Sequence, residues 1–87
     1  MLLEAYYRQV LELSQQMLDA ASTEQWDRLI DLEKARSILL QSTPHSEHGE
    51  DLKSAAALIR EIQDVDTQAK EIVSTWLEHA KILLRIK

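Results

Sequence analysis

The sequence predicts an all-α fold: an antiparallel three-helix bundle, or a helical hairpin, with a long third helix and a dimeric state. Three observations carry this. Breakers are nearly absent, with one Gly and one Pro in 87 residues. Leu, Ala, Glu, Gln and Ile are abundant, while Val, Thr and turn signals are too sparse for a sheet protein. Apolar residues recur at spacings of three and four, the period of a helix with one buried face. The length suits one small helical domain over residues 1–87.

The first helix is expected over about residues 2–21. Leu3, Tyr6, Val10, Leu13, Met17 and Ala20 follow one another at 3, 4, 3, 4, 3, a heptad-like seam. Tyr7, Leu11 and Leu18 widen it. The second helix is expected over about 24–41. Ser22 with Gln25 three places later has the form of a capping box, which puts Ala21 at N′ and Trp26 at N4, the positions of a hydrophobic staple. Thr23 is an alternative cap. Trp26, Leu29, Ile30, Leu32, Ala35, Leu39 and Leu40 give this helix a broad apolar face, bordered by Glu33 and Arg36. Glu24 to Arg28 and Asp31 to Lys34 are favourable charge spacings.

The loop, residues 42–49, lies in QSTPHSEHGED, which holds both the Pro and the Gly. The third helix is expected over about 50–86. Its seam is Leu58, Ile62, Val65, Ala69, Ile72, Trp76, His79, Leu83 and Ile86. A second row through Ala55, Ile59, Asp66, Val73 and Ala80 lies beside it.

These lengths do not match. At 1.5 Å per residue the first two helices span roughly 30 and 27 Å and the third roughly 55 Å. In a bundle the excess exposes Ile72, Val73, Trp76, Leu77, Leu83 and Leu84, a patch that calls for a second copy or a docked partner. If the first two helices are instead collinear, the chain is a long hairpin whose core is too thin to stand alone.

Composition excludes several functions. Net charge is −5 with no basic stripe, against direct nucleic-acid binding. No apolar run reaches the roughly 20 residues of a membrane span, so no membrane insertion is expected. The start, MLLEAYYRQ, does not read as a signal peptide, because Glu4 interrupts it and no basic region precedes it. The absence of Cys removes disulfides and thiolate metal sites and fits a cytoplasmic location.

Few residues suggest chemistry. His45 and His48 flank Glu47, but without a third convincing ligand a solvated loop is the simpler reading, and no metal or cofactor is expected. His79 lies in the third-helix seam, where an interface histidine would make association depend on pH. Asp66 and Glu33 sit on or beside apolar faces, the place of acids that bond across helix interfaces. Glu61-Ile62-Gln63-Asp64-Val65-Asp66 loosely echoes all-helical chorismate mutases. Only five arginines, and a long helix that comes last, do not fit that dianionic substrate. No phosphate loop or nucleophile elbow is visible, so no enzyme is expected.

Three stretches resemble the flagellar export chaperone FliT family. Tyr6-Tyr7-Arg8-Gln9-Val10-Leu11-Glu12-Leu13-Ser14, continuing through Met17-Leu18 and Ala20-Ala21, is similar to its opening, an aromatic followed by "hxLSxxhLxhA" (h apolar). Glu24-Gln25-Trp26-Asp27-Arg28-Leu29-Ile30-Asp31-Leu32-Glu33-Lys34-Ala35-Arg36 is similar to "(G)-(E/D)-W-D-x-L-h-x-L-E-x-x-R". Ile59-Arg60-Glu61-Ile62-Gln63-Asp64-Val65-Asp66 is similar to "I-x-x-I-L-x-h-D". The Gly that usually precedes the acid-Trp-Asp run is replaced here, so a differently built turn is expected.

The resemblance implies a small cytoplasmic chaperone that holds the C-terminal segment of the filament cap protein, FliD, before export. It also implies contacts with export-apparatus components and, in some members, with the flagellar master regulator. Some members continue into a fourth helix that covers the groove; with the chain ending at Lys87, an open groove is expected. Helix-in-groove recognition would use the space between helices two and three, lined by Leu29, Leu32, Leu39, Ile62, Ala69 and Trp76. Ile72, Val73 and Leu83 extend that surface or form an interface. The alternative is a homodimeric adaptor that holds no client.

Overall fold

A computed structural model of the chain describes residues 2–42 and 49–85, with side-chain environments for 3–42 and 53–85. His45, Glu47, His48 and Ile86 lie outside the described residues. Three helices follow in order, α1 Leu2–Ser22, α2 Trp26–Leu40 and α3 Gly49–Arg85, and no strand occurs among the described residues.

α1 is the central helix. Leu3, Tyr6, Val10, Met17, Ala20 and Ala21 are buried. Fully burying a side chain such as Val10 or Met17 stabilises by about 1.5–3 kcal/mol relative to leaving it exposed. Leu13, expected in this seam, is only half-buried, and Ser14 is buried in its stead at 0% exposure. α3 contributes Ala55, Leu58 and Ile62 to the core. Ile62 clusters with Tyr6 and Val10, and Tyr7, Leu11 and Leu39 pack on that cluster.

The link between α1 and α2 is not a capping box. Gln25 N–H donates to Ala20 C=O at 2.8 Å and Glu24 N–H to Ala21 C=O at 3.2 Å. This crossed pair is a Schellman ending of α1, with Glu24 at the left-handed position, φ 57°. The Ser22 hydroxyl donates back to Leu18 C=O at 2.8 Å, and that of Thr23 to Asp19 C=O at 2.9 Å. Both hydroxyls therefore serve α1. Gln25 is the N-cap of α2 and makes no side-chain capping bond. Trp26 becomes the first residue of α2 rather than the fourth, and Ala21 still belongs to α1.

Because this ending reverses the chain within a few residues, α2 runs back along α1. Tyr6 and Val10 meet Ile62, Ser14 lies level with Asp66, and Ala21 lies near Ile72. α1 and α3 are thus parallel and α2 is antiparallel to both. The three-helix arrangement holds, and collinear first and second helices do not occur. Both α2 and α3 pack on α1, but no Cα of α2 comes within 8 Å of a Cα of α3 among the described residues.

α2 has no buried residue. Trp26, Leu29, Leu32, Arg36 and Leu39 form one half-buried stripe. Ile30, Ala35 and Leu40, expected on the apolar face, are exposed. They fall off the line that α1 covers. The molecule is 58 Å long, set by α3. From Leu77 to Arg85, α3 runs beyond the α1–α2 turn for roughly 14 Å.

A candidate client cleft between α2 and α3

With α1 as floor, α2 and α3 are the walls of a cleft. At the end nearest the α1–α2 turn it is bridged by two tryptophans. Trp26, opening α2, and Trp76 of α3 have ring centroids 5.0 Å apart and planes inclined at 55°. They line a concavity of about 560 Å³, together with Ala21, Ile72, Glu24 and Glu71. Aromatic pairs in such tilted contact contribute about 0.5–1.5 kcal/mol beyond the area they bury. The Schellman turn causes the meeting: it starts α2 beside the end of α1, opposite the α3 turn that carries Ile72 and Trp76.

Midway along, Arg36 crosses the cleft. Its Nη1 donates to Ser14 Oγ at 2.9 Å and to Asp66 Oδ1 at 2.6 Å. Ser14 in turn donates to Val10 C=O at 2.9 Å, so its buried hydroxyl is used both as donor and acceptor. This bears out the reading of Asp66 as an acid bonded across a helix interface. At the turn, Arg28 donates to Asp19 at 3.0 Å and to Gln25 Oε1 at 3.1 Å, fixing the start of α2 to α1 rather than pairing with Glu24.

The candidate residues separate into groups. Leu29, Leu32 and Leu39 on α2, and Ala69, Ile72 and Val73 on α3, are half-buried. Trp76 is exposed at the concavity. Ile62 is a core residue of the Tyr6–Val10 cluster. Leu83 lies beyond the bundle end, where it lines a shallow hollow with His79 and Ile82. Of the apolar residues expected to be uncovered, Trp76, Leu77, Leu83 and Leu84 are exposed, the last two at 71% and 68%, with Ile82 beside them. Ile72 and Val73 are half-buried instead, Ile72 beside Ala21 at the end of α1.

Sequence reasoning missed Arg36 and Ser14 as a pair, and Trp26 as the partner of Trp76. A signal existed for the first. Arg36 falls four residues after Leu32 and three before Leu39, completing the α2 stripe. Ser14 likewise stands four after Val10 and three before Met17.

Among the described residues no group of three or more His, Cys, Asp or Glu is placed to hold a metal ion. No described helix is long and apolar enough to cross a membrane. Among the described residues no Lys or Arg lines the Trp26–Trp76 concavity.

A family model described as "Flagellar protein FliT" matches residues 4–85. No curated protein and no solved structure matches the chain. The matched span takes in Ser14, Trp26, Arg36, Asp66 and Trp76. The chain belongs to the flagellar FliT family.

Proposed function

We propose that this protein holds the C-terminal segment of the filament cap protein FliD, as an amphipathic helix laid into the α2–α3 cleft, until export. The family is one of flagellar export chaperones rather than enzymes. One observation supports the finer reading: α2 and α3 both lean on α1 with no Cα of one within 8 Å of a Cα of the other among the described residues, and Leu29, Leu32, Ile72 and Val73 are only half-buried. A helix docked there would bury Leu29, Leu32, Ile72 and Val73, at about 25 cal/mol per Å² of apolar surface removed from water. Holding of this kind uses no nucleotide and takes place in the cytoplasm. Export-apparatus components and the flagellar master regulator are further partners in this role, and competition for the cleft distinguishes them from the client. The experiment is titration of the protein with the FliD C-terminal segment. Saturable binding supports the reading, and its absence removes it.

A second reading has its own observation. Leu77, Ile82, Leu83 and Leu84 leave the end of α3 apolar and uncovered. A homodimer joined there would cover it. Light scattering that shows a monomer at high concentration eliminates this reading.

A further inference from the structure

The concavity at Trp26 and Trp76 has an unusual chemical balance. Its apolar surface is two indoles with Ala21 and Ile72. Its charged groups are two carboxylates, Glu24 and Glu71, and the other titratable lining residue is His79. Neither carboxylate has an ion-pair partner among the described residues. Arg28, the basic residue of the same turn, is held instead by Asp19 and Gln25. The left-handed backbone at Glu24 sets the place of its carboxylate relative to Trp26, two residues on.

The faces of an indole carry negative potential and attract cations. At 55° the two rings diverge from their line of contact and leave a wedge. Two carboxylates beside that wedge, among the neutral side chains of Ser22, Gln68 and Thr75, give the site a negative balance, and no Lys or Arg among the described residues lines it. Such a site favours a cation carried on an apolar stem, whose methylenes lie on the aromatic surface while its head meets the carboxylates. An entirely apolar side chain would leave both carboxylates partly desolvated with nothing to pair with.

We propose that the Trp26–Trp76 concavity is a specificity pocket for one basic side chain, Arg before Lys, projecting from the helix held in the cleft. Apolar residues of that helix fill the cleft between the α2 and α3 stripes. The basic residue sets its register by entering at the tryptophan end. This rests on the reading of the cleft as the client site and adds which chemistry the client presents there.

The test is a positional scan of the FliD C-terminal segment, in which each residue in turn is made Arg in one peptide and Gln in another. Each peptide is titrated into the full chain. The intrinsic fluorescence reports the pocket, because Trp26 and Trp76 are the two tryptophans of the whole sequence. At one position the Arg peptide is expected to bind about tenfold more tightly than the Gln peptide. That advantage falls as salt is raised. In the Glu24→Gln/Glu71→Gln variant it shrinks to about twofold, the part left to the aromatic surface. Both positions are exposed, and an unchanged melting midpoint confirms that the variant is folded. A parent segment that binds while no position prefers Arg overturns the pocket and leaves the cleft. An Arg preference undiminished in the double variant also overturns it. A parent segment that does not bind overturns the cleft reading and the pocket with it.

Discussion

Arg36 of α2 and Asp66 of α3 meet at 2.6 Å across the cleft, and the same Arg36 nitrogen takes in Ser14 of α1 at 2.9 Å. All three helices are therefore tied at one level. The three residues also fall in the three stretches that resemble the FliT family: Ser14 within the first, Arg36 as the final Arg of the tryptophan-containing run, and Asp66 as the final Asp of the third. Separated by 22 and 30 positions, they converge on one network. It holds α2, which has no buried residue, at a set distance from α3.

Replacing Arg36 by Met is expected to lower stability by about 1 kcal/mol, the loss of the hydrogen bond to Ser14. The ion pair adds little, because the Asp66 side chain is 41% exposed and water screens it. Asp66→Asn should cost about 0.5 kcal/mol for the same reason. Urea unfolding of the two single variants and the double variant gives their coupling. A coupling near zero would mean that the network does not act as a unit.

Glu24→Gly should stabilise the protein by about 0.5–1 kcal/mol. An L-residue in the left-handed region costs about 1–2 kcal/mol, and the greater freedom of Gly in the unfolded chain takes back part of the gain. Glu24 stands where the family pattern carries Gly, so this variant restores the residue the turn conformation favours. Thermal unfolding measures it. A lower midpoint would contradict the Schellman assignment.

Ser22→Ala separates two views of the turn. A true N-cap serine costs about 1 kcal/mol when replaced. Here the exposed hydroxyl only returns a bond to Leu18, so the change should stay within about 0.5 kcal/mol. Trp26→Ala should cost about 2 kcal/mol, short of the 3 or more expected of a fully buried staple, because Trp26 is half-buried against Trp76. Chemical denaturation of both variants decides.

Much of this was legible in the sequence, for reasons that show where legibility stops. Helix number, the long third helix, and the seam through Tyr6, Val10 and Met17 follow from periodicity, which depends only on neighbours along the chain. The turn did not, because Ser22 and Thr23 serve equally well as N-caps of one helix or as back-bonding residues of the previous one. Backbone direction after Ala21 decides between them, and that is set by packing. Ser14 and Arg36 were hidden for a related reason: each is polar, and each sits on an apolar stripe because it bonds to the other. Burial pattern alone did not distinguish Ile62, a core residue, from Ile72, a cleft residue. The level at which α1 ends separates them.

Leu83→Lys should leave stability within about 0.5 kcal/mol, because Leu83 is 71% exposed beyond the bundle end. Val10→Ala, in the core beside Tyr6 and Ile62, should cost about 1–3 kcal/mol. Melting midpoints compare the two. If the lysine variant is the less stable, the end of α3 is covered in solution by another copy.

The most direct test is calorimetric titration of the protein with the FliD C-terminal segment, run in parallel with Ile72→Asp, a half-buried cleft position away from the Tyr6–Val10–Ile62 cluster. Saturable binding of one segment per chain is expected, weakened at least about tenfold in a folded Ile72→Asp variant, since a buried unpaired carboxylate opposes docking. Undetectable binding to the unaltered protein, or equal affinity in the variant, would contradict the α2–α3 cleft as the place where the client is held.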